Sequence, residues 1–275
     1  MSKKPLTLCI LVYGDHPDLA QRCLGSISER LHSAVGVINE IKLGLNEISL
    51  GTQQVVYGFE ESVKNHGIPL TEYRCPVNSY KYPVMRRMFF DSERPLSEWV
   101  MWFDDDSYLD FDSSLDWWGH LQSEADKFQV DMLGKIYWQA MFPQQWNWIR
   151  KQSWFNRSVG QPAPFRRFRN RPSFKFATGG WWMARSKIFT ENNWPTPELK
   201  LHGGDSMLGE LCRHRGYSLT NFETGVRINA DSQGNHSKAP GRGQSLHPKQ
   251  RPSEMLGNCD PQANLHDFEC VITSK

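Results

Sequence analysis

The sequence predicts an α/β protein built as a single domain, with a mostly parallel central sheet flanked by helices. Three observations predict it. Strand-like and helix-like segments alternate from the start of the chain, and two of the strand-like ones, Leu6 to Val12 and Trp99 to Phe103, are near-continuous apolar runs, as expected of strands covered on both faces. The 275 residues, 39% hydrophobic and 12% aromatic, are enough to bury one sizeable core, which also excludes disorder as the main state. No apolar run approaches the roughly 20 residues needed to cross a bilayer, which removes a transmembrane helix.

In chain order, Leu6 to Val12 is an apolar run bounded by Gly14 and Pro17 and reads as a buried first strand. It follows Lys3 and Lys4 as a signal core would, but Tyr13-Gly14-Asp15-His16-Pro17 is no small-residue cleavage site. Asp18 to Leu31 reads as a helix, because Leu19, Cys23, Leu24 and Ile27 keep a spacing of roughly 3.6. A weaker strand, Glu40 to Leu45, precedes a helix from Thr52 to Asn65 that ends at His66-Gly67. Leu70 to Cys75 is extended and stops at Pro76; strand, helix, strand, helix, strand is the pattern of an open parallel sheet. Tyr82 to Asp91 reads as helix and Trp99 to Phe103 as the next buried strand, running directly into Asp104-Asp105-Asp106. Downstream come a helix over Leu115 to Phe128 and a strand over Asp131 to Tyr137. A long Pro-, Arg- and aromatic-rich stretch from Phe142 to Lys175 follows, then a strand over Trp181 to Ala184, a helix over Ser206 to His214 and a strand over Ser218 to Phe222. Residues after Asp231 are rich in Gly, Pro, Ser and His and read as loop and tail.

Charge is segregated although the net value is only +2. Asp91 to Asp131 carries twelve carboxylates against two basic residues, whereas Met132 to Thr190 carries eleven basic residues and no carboxylate. All eleven tryptophans fall between Trp99 and Trp194, so the middle of the chain is where a site is expected. The six cysteines form no CxxC pair and no zinc spacing, and read as reduced thiols of a cytoplasmic protein.

The acidic triplet lies at a strand's carboxyl end, where open α/β sheets place their ligands. Three adjacent carboxylates repel unless a cation or a set of donors neutralises them. Asp104 and Asp106 project to one side of an extended backbone and Asp105 to the other, an arrangement that suits Mg²⁺ or Mn²⁺. The competing reading is a solvated acidic turn.

Four segments together resemble nucleotide-sugar glycosyltransferases of the GT-A fold. They are Val12-Tyr13-Gly14-Asp15, then Trp99 to Tyr108 with its DDD, then Phe176 to Arg185 with Gly179-Gly180, and finally Gly203 to Tyr217. The first and last resemble glycosyltransferase family 2, while the DDD and Gly-Gly pieces also resemble Fringe-type enzymes. The resemblance implies a Rossmann-like GT-A domain over residues 1–230, with a nucleotide-sugar-binding half at 1–107, an acceptor half at 108–230, and residues 231–275 as a loop and tail closing over the donor. It implies a hexosyl- or pentosyltransferase that uses a nucleoside-diphosphate sugar, with a uridine bias.

Carried over by residue, the resemblance places Tyr13 and Asp15 on the nucleobase and ribose, with Asn46 and Glu47 as weaker contacts. Asp104 and Asp106 would hold Mn²⁺ or Mg²⁺ in a DxD motif, Asp106 directly, and Asp105 joins the donor-binding set. Asp205 matches the general base of inverting members, and Gly179-Gly180, with Trp181 and Trp182 after them, lines the acceptor side. Where family members often carry a histidine as third metal ligand, this sequence has Asn229; His247, or less favoured His236, stands in its loop with Lys238 and Arg242 for phosphate contacts. Lys81, Arg86 and Arg87 face either the diphosphate or solvent. Local alternatives stand beside these roles: Asp205 also suits a helix N-cap, Tyr13-Gly14-Asp15 an ordinary βα turn, and Gly179-Gly180 a strand entry.

Residues 150–175 interleave eight basic side chains with aromatics, the two ingredients of nucleic-acid binding, so the acceptor is expected to be a glycan or a polyanion, most sharply a hydroxylated base in DNA. Two other classes compete. A metal-dependent nucleotidyltransferase also uses paired aspartates, although GxxxxGK[ST] and GxGxxG are absent. A non-catalytic nucleotide-sugar- or nucleic-acid-binding protein is the other.

Overall fold

The first strand, β1 (Leu6–Tyr13), forms where the sequence is apolar on both faces, and every residue from Leu6 to Val12 is buried. The structure is a computed structural model that describes residues 5–111, 116–127, 129–141, 143–199, 203–228 and 269–275. After β1 come α1 (Pro17–Ser28), with proline in its first turn, and a short α2 (Leu31–Ala34). β2 (Ile38–Asn46) leads to α3 (Leu50–Asn65), whose first turn is capped by the Ser49 hydroxyl accepting from the Thr52 N–H. β3 (Leu70–Cys75), α4 (Lys81–Phe90) and β4 (Trp99–Asp104) complete the first half.

The second half holds β5 (Tyr108–Leu109), α5 (Trp117–Lys127), β6 (Met132–Ala140), α6 (Pro143–Ile149), β7 (Pro164–Phe165) and β8 (Arg171–Arg185). α7 (Lys187–Thr190), α8 (Gly204–Arg215), β9 (Leu219–Asn221), β10 (Val226–Arg227) and β11 (Val271–Ser274) follow. The central sheet runs β11-β3-β2-β1-β4-β8-β6-β9, with β7 paired to β8. The β3-β2-β1-β4 block is parallel; β8 is antiparallel to both β4 and β6, and β11 to β3.

Strand alternation divides the core between the two faces. Met101 and Phe103 join the cluster under α1, α3 and α5, while Val100 and Trp102 join the one under α4, α6, α7 and α8. Trp102 and Trp182 are register partners and stack at 6.0 Å, an aromatic pair that contributes about 1 kcal/mol beyond its burial. Lys42 is fully buried on β2, and its ammonium donates to the Met88 and Arg94 carbonyls at 2.9 and 3.1 Å. Those bonds tie the end of α4 to the sheet and satisfy a charge that burial would otherwise penalise. Burial pushes the Lys42 ammonium down from its ordinary pKa.

Two segments differ from the sequence expectation. The stretch 142–175 contains α6, 3-10 turns at Arg157–Val159 and Arg166–Phe168, and the start of a 15-residue β8. Its arginines and prolines erase the apolar alternation by which strands are recognised, because this end of β8 is partly exposed. Residues 271–274, expected as tail, form the edge strand β11.

Candidate active site

The carboxyl ends of β1, β2 and β4 deliver Tyr13, Asn46 and Asp104 to one edge of the parallel block. β8 crosses beside them: Phe103 pairs with Trp181, and continuing that register brings Gly179 level with Asp105. Lys81, at the start of α4, fills the space between. Its ammonium donates to Asp104 Oδ2 at 2.7 Å and to the Gly179 carbonyl at 2.8 Å. The Trp102 indole N–H donates to Asp104 Oδ1 at 2.8 Å, so both oxygens of Asp104 have a protein donor. Burial lowers the Lys81 pKa, but the charges of Asp104, Asp205 and Asp106 outweigh it and hold the ammonium above its ordinary range.

Asp205 reaches the cluster from the first turn of α8, where the helix dipole favours negative charge. It is not the N-cap: that position is Gly203, at φ 83. Asp205 Oδ1 accepts from the Tyr82 hydroxyl at 2.7 Å. Burial first, and the Asp205 charge second, push the Tyr82 phenol well above its ordinary pKa, so it remains a donor. Gly204 permits this contact, since a Cβ there would lie 2.0 Å from Tyr82 Cζ. A Cβ on Gly179 would lie 2.7 Å from both Asp205 oxygens and from Lys81 Nζ, so this glycine is where the two charged groups close on the backbone.

A hydrogen-bonded loop holds α4 in place. Asn46 Oδ1 accepts from the Ser79 N–H at 2.8 Å, Asn78 Oδ1 accepts from the Tyr80 N–H at 2.9 Å, and the Asn78 amide donates to the Tyr13 hydroxyl at 2.9 Å. Tyr80 itself sits at φ 61, ψ 171, a region costly for any residue with a Cβ and one that recurs at ligand sites. The strain lies immediately before Lys81 and is held by that loop.

Of the residues singled out in the sequence, Asp104, Gly179 and Asp205 come together, with Asp106 buried close enough to act on Lys81. Asp105 turns inward and accepts from the Tyr13 N–H at 3.1 Å. Asn46 shapes the loop, Glu47 follows it exposed at φ 51, and Asp15 is exposed beyond β1. Gly180 is buried in β8.

Three expectations are corrected. Arg86 donates to the Pro195 carbonyl at 2.6 Å and lies over Phe90, so Lys81 is the cation of α4 that meets the acid cluster. Trp181 and Trp182 belong to the core on opposite faces of β8, as alternation requires of adjacent strand residues, and do not line an acceptor surface. Asp205 is not the cap. His236, His247, Lys238 and Arg242 lie outside the described residues, as does Asn229. Sequence reasoning missed Tyr82 and Asn78, because one reads as part of an apolar helix face and the other as an ordinary loop residue.

Among the described residues no three His, Cys, Asp or Glu side chains form a metal-ligand group, and no helix is long and apolar enough to cross a membrane. The donor set present suits Mg²⁺ or Mn²⁺ shared with phosphates, since such ions use one or two carboxylates and fill the remaining positions from substrate and water.

No family model and no curated protein matches the sequence. The fold is similar to that of the mannosyltransferase PcManGT from Pyrobaculum calidifontis in complex with GDP-Man and Mn²⁺, at a TM-score of 0.51 and 14% identity. The match covers 80% of this chain but 55% of that one, so the chain spans about half of the enzyme's length. The 1–349 portion of S. aureus TarS matches at a TM-score of 0.49 and 16% identity, over 80% of this chain and 58% of that one. The match to the mannosyltransferase shows a shared α/β fold, a central sheet flanked by helices.

Proposed function

We propose that the chain is a nucleotide-sugar glycosyltransferase whose reacting groups meet between Asp104, Lys81 and Asp205. The observation that carries this reading is the convergence of an aspartate from β4, a lysine from α4 and an aspartate from α8 on Gly179, at the strand ends of a glycosyltransferase-like fold. Residues 1–107 supply the donor side and 108–230 the acceptor side, in a cytoplasmic protein whose resting thiols are reduced.

Breaking the bond from the anomeric carbon to a diphosphate develops charge on phosphate oxygens. Lys81 stands where it neutralises that charge, held by Asp104 and the Gly179 carbonyl. Asp104 and Asp106 would hold Mn²⁺ or Mg²⁺, which when bound stabilises the same leaving group. Asp205 accepts the proton of the attacking hydroxyl, and Tyr82 fixes the orientation of its carboxylate. Direct displacement from that side inverts the anomeric centre. The nucleotide is assigned as uridine on the sequence resemblance, although the mannosyltransferase was solved with GDP-Man. The acceptor is assigned as a polyanion, with a hydroxylated DNA base as its sharpest form, on the strength of the basic, aromatic stretch 150–175.

A thermal-shift panel of UDP- and GDP-sugars, with and without Mn²⁺, tests the donor site. A donor at about 100 times its Kd stabilises the native state by about 2.7 kcal/mol. Asp205→Asn is expected to retain that shift while nucleoside-diphosphate release falls by roughly 10²- to 10⁴-fold. No shift with any donor, or pyrophosphate as the product, refutes the proposal; pyrophosphate assigns nucleotidyl transfer, and turnover unaffected by Asp205→Asn removes the base.

A further inference from the structure

α6 and the turns after it frame a cleft of about 850 Å³ at the start of the basic stretch 150–175 to which the acceptor is assigned, lined by Trp146, Arg150, Lys151, Phe155, Arg157 and Gln161 among others. Arg150, Lys151 and Arg157 are exposed, and no described residue forms an ion pair with any of them. The reason is in the sequence: no carboxylate occurs between residues 132 and 190. The nearby acid, Glu210, is already occupied by the Arg213 guanidinium at 2.6 to 3.1 Å. Trp146 packs edge-on to half-buried Phe155 at 5.5 Å, and both rest on His214 in the last turn of α8. Trp148 of the same helix lies against Gly203 at the other end of α8. The nine residue steps from Asp205 to His214 span about 14 Å, so one helix connects the cleft to the site.

We propose that this cleft binds single-stranded nucleic acid, its phosphates on Arg150, Lys151 and Arg157 and a base against Phe155. A purely ionic ligand would use the three cations alone; an aromatic wall among them favours a ligand that carries both phosphates and flat rings. That the strand then offers its hydroxyl to Asp205 rests on the transferase reading, whereas the binding itself does not.

The test is fluorescence anisotropy of a labelled single-stranded DNA 20-mer with the full chain and no sugar donor, so its failure is distinct from failure of the donor panel. Three phosphate contacts predict a slope of log K against log salt near about −2. Arg150→Gln, Lys151→Gln and Arg157→Gln combined should weaken binding at least tenfold without moving Tm. Phe155→Leu should weaken DNA roughly 5- to 100-fold and leave inorganic polyphosphate unaffected. Absence of binding, affinity unchanged in the triple variant, or polyphosphate competing as well as DNA per phosphate overturns the proposal.

A separate observation concerns β3 and β11. Lys275 and Leu70 exchange both backbone hydrogen bonds, and Val271 pairs with Arg74, so the next step back along the ladder sets Cys270 opposite Cys75 at a non-hydrogen-bonded position. Such pairs have Cα atoms about 4.5 Å apart, inside the range a disulfide spans. Both are free thiols, Cys75 buried and Cys270 half-buried. The neighbouring Cys270 thiol first, with Ser79 and the Arg87 charge and against burial, holds the Cys75 thiol below its ordinary pKa. Cys75 also opens the loop that positions Asn78 and Lys81.

We infer that Cys75 and Cys270 form a reversible disulfide that clasps β11 to the sheet. The Cys75 thiolate attacks a small-molecule disulfide and releases one thiolate; the Cys270 thiolate then displaces the second. The protein thiols lose two electrons and two protons, and the reagent gains two electrons and is released as two thiols. Equilibration with oxidised glutathione followed by peptide mapping should show a 75–270 cross-link, reversed by dithiothreitol, and a Tm rise of roughly 10 °C that is lost in Cys270→Ser. A stable mixed disulfide, a link to Cys259, or no link refutes it.

Discussion

Gly179→Ala adds one methyl group at the point where the proposed chemistry is assembled. The new Cβ would stand 2.7 Å from Asp205 Oδ1, Asp205 Oδ2 and Lys81 Nζ. Relaxing those contacts to ordinary separation requires a shift of about 0.8 Å. Lys81 cannot simply withdraw, because it is held by Asp104 at 2.7 Å and by the carbonyl of residue 179 itself; Asp205 is held by Tyr82. Overpacking of this kind costs about 2 kcal/mol, a Tm fall of roughly 3 to 4 °C in a chain of this size. Misplacement by about 1 Å costs about 10²-fold in rate. The assays are calorimetry and nucleoside-diphosphate release with the donor from the thermal-shift panel. Gly58→Ala is the control: nothing lies within 4 Å of its Cβ on exposed α3, so it should gain up to about 1 kcal/mol of helix propensity and keep its rate. A Gly179→Ala protein with native Tm and native rate would show that Lys81 and Asp205 do not converge as described.

Three further outcomes follow from the same geometry. Tyr82→Phe removes the donor to Asp205 and should cost about 2 kcal/mol, read as a lower midpoint in urea, with a fall in kcat larger than any change in KM. Lys81→Met leaves Asp104 without its cation, and because Asp104 is 25% exposed the loss should be about 2–3 kcal/mol, below the full buried-pair value; adding Asp104→Asn should restore part of it. Since the Lys81 pKa is raised on folding, its contribution is complete below pH 10.5 and fades as pH climbs through the higher folded value, so an alkaline loss seen in wild type should be absent in Lys81→Met. His214 is pushed down from 6.5 to about 4, by burial first and the Arg213 charge second, so its contribution is present above pH 6.5 and lost as pH falls toward 4; acid titration of stability should show up to about 3 kcal/mol in that window, removed by His214→Gln.

The sequence was most informative where one physical constraint dominates. β1 extends the expected Leu6–Val12 by one residue, because a strand covered on both faces must be apolar almost throughout, and β3 matches the expected Leu70–Cys75, which Pro76 ends. The DDD triplet was legible as a ligand-side feature because carboxylates at the end of a buried strand need a neutralising partner. It was not legible that Lys81 supplies that partner for Asp104: the lysine lies 23 residues earlier and reads locally as the start of a helix. Tyr82 was hidden for the same reason, its ring serving the core and its hydroxyl the site. The tryptophans failed in the opposite direction, since Trp181 and Trp182 next to Gly179-Gly180 looked like a binding surface until the two faces of β8 absorbed them.

By itself, then, the sequence determined the main alternation of strands and helices from β1 to β4, the parallel first half and the acidic strand end, all of which are set by periodicity and local charge. Only the tertiary structure decided which charged groups share a space. Lys81, Asp104 and Asp205 come from α4, β4 and α8, and their meeting depends on the antiparallel insertion of β8, the absence of a side chain at Gly179 and the seating of Tyr82 on Gly204, which are pairings across distance that no local pattern encodes.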